Sequence, residues 1–154
     1  MRKIALIFLA FVLISSISVV SADAVTVDET NFNIPDEYAR DTSIDTRTIV
    51  SLFVPISMFS DLDLGNVEAF VDGNKIIGIA VLDAGNHDLD DIRMDVDNDT
   101  EKTISGKSGL LGESSVLDND GNVMYDVVIF KYFENGKLYV IIAPDEATIE
   151  DVIP

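Results

Sequence analysis

The chain has 154 residues, a formal net charge of −18 at pH 7 and no cysteine. Without cysteine, disulfide cross-links and the lipid anchor of a lipoprotein are excluded. The strongly acidic balance argues against nucleic acid or an anionic membrane surface as a partner, and favours cations, basic proteins or a cationic wall component. An acidic surface also keeps a domain soluble without any partner.

The amino terminus has the three parts of a secretory signal peptide. Arg2 and Lys3 form a cationic start, residues 4–14 are an unbroken apolar run, and small residues follow up to Ala24. Cleavage fits after Ala22 or after Ala24, and the second site fits better. An uncleaved anchor is the alternative, because residues 4–20 approach the length of a membrane-spanning helix. The sequence predicts a signal peptide over residues 1–24 and one acidic exported domain over residues 25–154, secreted or at the cell surface.

An apolar segment over residues 48–59 is interrupted by Pro55. Proline argues against a continuous helix, so the segment is predicted to be a strand, a bend and one helical turn. An exposed patch for a partner is one interpretation. Burial in the core is the preferred one, because a small domain needs such runs to build its core.

Two hairpins are predicted in the middle of the chain. The first joins residues 67–71 to residues 75–82 through a turn at Gly73. The second is expected around Gly106 or Gly109, with residues 102–104 entering and residues 110–111 leaving, and both glycines are predicted turn or bulge positions.

The clearest hairpin is predicted near the carboxyl end, where two apolar runs, residues 123–133 and 138–143, flank Asn135-Gly136. Asn-Gly is the strongest short hairpin signal, because both central positions of a type I′ turn need positive φ. The predicted cross-strand pairs are Glu134 with Lys137, Phe133 with Leu138 and Tyr132 with Tyr139. Both faces of these strands are largely apolar, so the hairpin is expected inside a sheet covered on both sides.

A short helix is predicted over residues 147–153, opened by Pro144-Asp145-Glu146. Acidic residues in a first turn favour the helix dipole, and Ile149, Val152 and Ile153 share one face that should pack on the sheet. The predicted fold class is therefore α+β: a mainly antiparallel β-sheet built from hairpins, with a short C-terminal helix.

Short segments spread over most of the chain after the signal provide a further comparison. They are residues 31–38, 102–109, 130–132, 136–137, 139–143 and 149–153. Together they resemble small exported proteins of methane-producing archaea that carry no assigned activity. The resemblance implies an archaeal, exported protein of this fold class, and it implies no catalytic residue.

An acidic cluster between residues 88 and 101 is the most suggestive chemistry. Asp95, Asp97 and Asp99 begin like an EF-hand calcium loop, since calcium requires hard oxygen ligands close together. The pattern then departs, because Thr100 replaces the turn glycine and Gly106 replaces the bidentate glutamate. These three aspartates are a weak calcium candidate, with solvated loops as the simpler interpretation. No other cofactor is predicted.

No catalytic constellation is found. Gly106-Lys107-Ser108 imitates the end of a phosphate-binding loop, yet Glu101 stands where its first glycine belongs. The single histidine, His87, lies in a polar loop, and no serine sits in a nucleophile-elbow pattern. The triplet that starts at Asn98 fits the acceptor pattern for N-linked glycosylation.

Two hypotheses of different classes follow. The first is an exported non-catalytic module, secreted or at the cell surface, that binds or supports an unknown ligand such as a protein or cell-wall component. It expects no deep pocket with convergent polar groups. The alternative is a small exported hydrolase that uses carboxylates. That hypothesis expects an acidic side chain buried in a cleft with a raised pKa.

Overall fold

The computed structural model describes residues 23–44, 54, 66–94 and 98–154. Within these residues the chain forms nine strands and one helix. In chain order they are β1 (Asp23–Val27), β2 (Thr30–Ile34), β3 (Ala39–Arg40), β4 (Asn66–Asp72), β5 (Lys75–Asp83), β6 (Thr100–Ile104), β7 (Lys107–Leu117), β8 (Val123–Glu134), β9 (Lys137–Ala143) and α1 (Glu146–Val152). The predicted signal peptide lies outside the described residues, apart from Asp23 and Ala24, which belong to β1.

Strands β3 to β9 form one antiparallel sheet of seven strands, in the order β3-β4-β5-β9-β8-β7-β6. Strands β1 and β2 form a separate antiparallel hairpin. Together with the single short helix of the described residues, this confirms the predicted α+β class dominated by antiparallel sheet. The sheet places β9 and β8, the hairpin with the strongest sequence signal, at its centre.

The β8–β9 hairpin has the predicted register. Its cross-strand pairs include Glu134 with Lys137, Phe133 with Leu138 and Tyr132 with Tyr139. The turn residues Asn135 and Gly136 have φ values of 53° and 77°, as a type I′ turn requires. The rings of Tyr132 and Tyr139 stack with centroids 4.8 Å apart, so the paired strands also align their largest side chains.

The two middle hairpins are also confirmed, with one correction. Strands β4 and β5 turn at Gly73, and strands β6 and β7 turn at Ser105 and Gly106, where φ is 48° and 77°. Gly109, the other predicted turn position, lies inside β7. A Cβ atom at Gly109 would lie 2.2 Å from the carbonyl oxygen of Lys131, so glycine is needed there for close approach of two strands.

Both faces of the sheet are covered, as the apolar hairpin predicts. We call the two sides the first face and the second face. The buried side chains of the first face are Val54, Ile76, Ala80, Leu82, Ala84, Ile92, Leu110, Val127, Ile129, Leu138, Val140 and Ile142. Those of the second face are Val27, Phe32, Ile34, Phe70, Ile77, Ile79, Val81, Ile104, Phe130, Tyr132, Tyr139, Ile141, Ala143, Ile149, Val152 and Ile153. Of the predicted apolar segment 48–59 only Val54 is described, and it is fully buried.

Helix α1 packs its apolar side on the second face, as predicted. Ile149, Val152 and Ile153 are buried in that cluster. The carboxylate of Asp145 caps the helix by accepting a hydrogen bond of 2.8 Å from the backbone N–H of Thr148, and this bond lowers the pKa of the carboxyl group. In the part of the chain that the structure describes, no helix has the length and apolar character needed to cross a membrane.

The β1–β2 hairpin covers the rest of the second face and was not predicted. Its turn is formed by Asp28 and Glu29 at φ values of 47° and 66°. Neither residue is glycine or asparagine, so the usual sequence signal for such a turn is missing. Phe32 is fully buried against Tyr139, and an ion pair between Asp28 and Lys137 ties the turn to the sheet.

Candidate functional site

Strands β7 and β8 extend beyond their neighbours in the sheet. Strand β7 pairs with β6 only as far as Leu111, and β8 pairs with β9 only from Val128 onward. Residues 114–117 and 123–127 therefore pair only with each other among the described strands. We call this two-stranded ribbon, with its turn at residues 118–122, the arm.

The turn of the arm is held by one aspartate. The carboxylate Oδ1 of Asp118 accepts hydrogen bonds from the backbone N–H groups of Asp120 and Asn122 at 2.9 and 2.8 Å. The side-chain hydrogen bond from Asn122, followed by its backbone bond, lowers the pKa of Asp118. Gly121 has a φ of 84°. The acidic and glycine residues of this loop are therefore explained by the turn that they form.

The end of the arm exposes three large apolar side chains. Leu117, Val123 and Met124 are 53%, 57% and 49% exposed. Leu117 and Val123 are cross-strand partners, and the register shifts beside them, between Val116 and Leu117. No other large apolar side chain of the described residues is comparably exposed. Leu117 and Val123 therefore form a small exposed apolar pair at the end of the arm, with Met124 beside it in the chain.

A groove of about 460 Å³ lies at the base of the arm. It is lined by Asn98, Glu113, Ser114, Ser115, Asp126, Val127, Val128 and Pro144. Its polar groups are partly used within the protein, because the hydroxyl of Ser115 donates to Asp126 at 2.7 Å. Glu113 and Asp126 are exposed, so the groove does not bury a carboxyl group in the way a general acid requires.

A second cavity, of about 480 Å³, lies between α1 and the segment that follows β2. Tyr38 and Lys75 are among its lining residues, together with the helix cap Asp145. Burial, and secondarily the charge of Asp72, raises the pKa of Tyr38. The carboxylate of Asp145 is already bonded to the backbone N–H and the hydroxyl of Thr148, so it is committed to the helix.

A fully buried ion pair lies on the first face of the sheet. The Nζ of Lys131 donates to the Oδ2 of Asp99 at 2.6 Å and to the carbonyl oxygen of Ile92 at 3.2 Å, and neither charged side chain is exposed to solvent. The backbone N–H of Met94 donates to the same Oδ2 at 2.7 Å. The pair fastens the segment before β6 to the centre of the sheet. Removal of one partner from such a pair typically costs about 3–5 kcal/mol.

The calcium candidates are only partly described. Asp95 and Asp97 lie outside the described residues, and the side chain of Asp99 is turned into the protein and bonded to Lys131. No group of three or more His, Asp or Glu side chains suited to a metal ion occurs within the described ranges. The calcium site stays a prediction.

The acidic side chains of the preceding loop, residues 87–91, form hydrogen bonds within that loop. Asp88 accepts from the backbone N–H of Asp90 at 2.9 Å, and Asp91 accepts from the backbone N–H of Asp88 at 3.0 Å. The latter bond, followed by one with His87, lowers the pKa of Asp91. Asn98, the predicted glycosylation position, is exposed at a φ of 50°.

Lys107 of the apparent phosphate-binding motif forms an ion pair with Glu134 at 2.6 Å. The residues that imitate that motif are therefore parts of a β-turn and of a strand.

No protein-family model, curated protein or solved structure matches the chain. Its function must be argued from its own geometry.

Proposed function

We propose that the protein is an exported, non-catalytic module, secreted or held at the cell surface, that binds a partner through the arm. The observation that carries the proposal is the exposure of Leu117, Val123 and Met124 at the end of a ribbon that extends beyond the paired parts of β6 and β9. Contact with a partner would remove these apolar side chains from water, which is energetically favourable.

The charge of the arm limits the chemistry of that partner. From residue 108 to residue 130 the sequence has no lysine or arginine, and its acidic residues are Glu113, Asp118, Asp120 and Asp126. A second copy of the same arm would bring like charges together. A basic protein or a cationic wall component would complement both the acidic groups and the apolar side chains.

A retention experiment on isolated cell envelopes of the producing organism tests this binding. The arm variant carries Leu117→Gln, Val123→Thr and Met124→Gln; the control carries Thr103→Gln and Glu150→Gln, exposed positions outside the arm. We expect the wild-type protein and the control to be retained and the arm variant to be lost. Retention should also fall with added salt, which screens the acidic contribution. Equal retention of all three proteins would contradict the proposal.

Export is tested by the amino terminus of the protein collected outside the cell. Strand β1 begins at Asp23, so a cut after Ala22 leaves the whole strand, whereas a cut after Ala24 removes the partners of Asn33 and Ile34. Either new terminus supports export. A chain found only inside the cell with its first residues intact contradicts it.

A further inference from the structure

The buried ion pair of Lys131 and Asp99 is chemically unusual for so small a domain. Lysine is rarely buried completely, and the separated charges are costly to keep away from water. Here both side chains are 0% exposed and the two reactive groups are in contact, with Nζ 2.6 Å from Oδ2. A primary amine and a carboxyl group are the two groups that condense to an amide bond, and here they are held in contact.

Three buried apolar residues lie around the ion pair. The cross-strand neighbours of Lys131 are Leu110 on β7 and Val140 on β9, both fully buried, and Ile92 lies over the pair, also fully buried. Bulk water is therefore excluded from the reacting groups. Fixed contact between two reactants corresponds to a very high effective concentration, which lowers the barrier to their condensation.

Two features of the environment of Asp99 favour condensation of its carboxyl group with the lysine amine. The backbone N–H of Met94 donates to Oδ2 at 2.7 Å, where it can stabilise negative charge that develops on that oxygen. The other oxygen, Oδ1, is buried and has no hydrogen-bond partner in the described part of the chain. One oxygen is thus held and the other is available to leave.

We propose that Lys131 and Asp99 condense to an intramolecular isopeptide bond. A proton passes from the ammonium group to the carboxylate, and the neutral amine attacks Cγ of Asp99. The Nζ–Cγ bond forms, the Cγ–Oδ1 bond breaks, and Oδ1 leaves as water with the proton from the ammonium group and a second proton from the attacking amine. No electron is exchanged with another molecule, so no oxidant or reductant is required. The product replaces two buried charges by a neutral amide, which removes the cost of burying them.

The bond would link the start of β6 to the middle of β8 across 32 positions of the chain. A cross-link of that span constrains the unfolded chain as a disulfide does. The chain has no cysteine, so this is a covalent staple that its composition allows, and reducing agents would not open it. The inference is independent of the arm and of its partner.

Mass spectrometry of the purified, denatured wild-type protein tests the bond. We expect an intact mass lower than the calculated mass by one water molecule, and a proteolytic product in which the Lys131 peptide and the Asp99 peptide are joined. The full calculated mass, with the two residues recovered in separate unmodified peptides, would overturn the proposal. This measurement uses only the native sequence, so it does not depend on whether a variant folds.

Two variants distinguish the isopeptide bond from a cyclic imide at Asp99, because formation of that imide also releases one water molecule. Lys131→Met removes the amine, so the mass deficit should disappear, whereas an imide would remain. Asp99→Asn should lose ammonia instead of water and give the same final bond. A water deficit that persists in Lys131→Met would contradict the isopeptide bond.

Discussion

The two halves of strand β8 have similar compositions and very different surroundings. In the half from residue 128 to residue 134, between β7 and β9, Ile129, Phe130 and Tyr132 are buried. In the half from residue 123 to residue 127, beyond the end of β9, Val123 and Met124 are about half exposed. Val127, the residue next to the end of β9, is still buried, so the apolar side chains become exposed only toward the far end of the ribbon. One continuous run supplies both a core and an exposed surface.

Matched truncations in the two halves should give the largest contrast. Ile129→Ala removes a fully buried side chain and is expected to lower the free energy of unfolding by about 2–5 kcal/mol, because it leaves a cavity. Met124→Ala in the arm is expected to change it by less than about 0.5 kcal/mol, because that side chain is half exposed. Chemical denaturation of both variants measures the difference. A loss of several kcal/mol in Met124→Ala would mean that the end of the arm is also part of the core.

Strand β7 offers a smaller contrast of the same kind. Gly109→Ala would bring a Cβ atom to 2.2 Å from the Lys131 carbonyl oxygen, so the strands must move apart, at an expected cost of about 1–3 kcal/mol. Ser115→Ala, an exposed position in the arm, should cost less than about 0.5 kcal/mol. Thermal unfolding of the two variants compares them directly. Equal midpoints would show that β7 and β8 do not approach closely at Gly109.

The hairpins were predictable because their signals are local. Asn135-Gly136 fixes the turn and the register of β8 and β9, and the apolar runs around it indicate a sheet covered on both faces. The β1–β2 hairpin lacked such a signal, since its turn uses Asp28 and Glu29. Strand order is not predictable from such signals, because long-range pairing in an antiparallel sheet is not encoded by local pattern.

The candidate sites were less predictable for the same reason. The arm depends on β9 ending while β8 continues, which no single segment reveals. The spacing of Asp99 from Asp95 and Asp97 predicts a metal ligand, whereas its ion-pair partner Lys131 lies far along the chain. The sequence signal for the buried ion pair is a lysine inside the apolar run from residue 127 to residue 133. A charge on a strand expected to be central requires a buried partner.

Acid should loosen the end of the arm before it affects the central half of β8. The pKa of Asp118 is lowered from 3.8, chiefly by the side-chain hydrogen bond from Asn122, so the folded turn favours the charged carboxylate. Its contribution is fully present above the ordinary aspartate pKa and is lost as pH falls through the lower folded pKa. Hydrogen exchange at the amides of Asp120 and Asn122 should accelerate over that range, relative to the amide of Phe130. Asp118→Asn keeps the acceptor oxygen without titrating, so its exchange should not show this step. If the two proteins respond identically to acid, the carboxylate does not hold the turn.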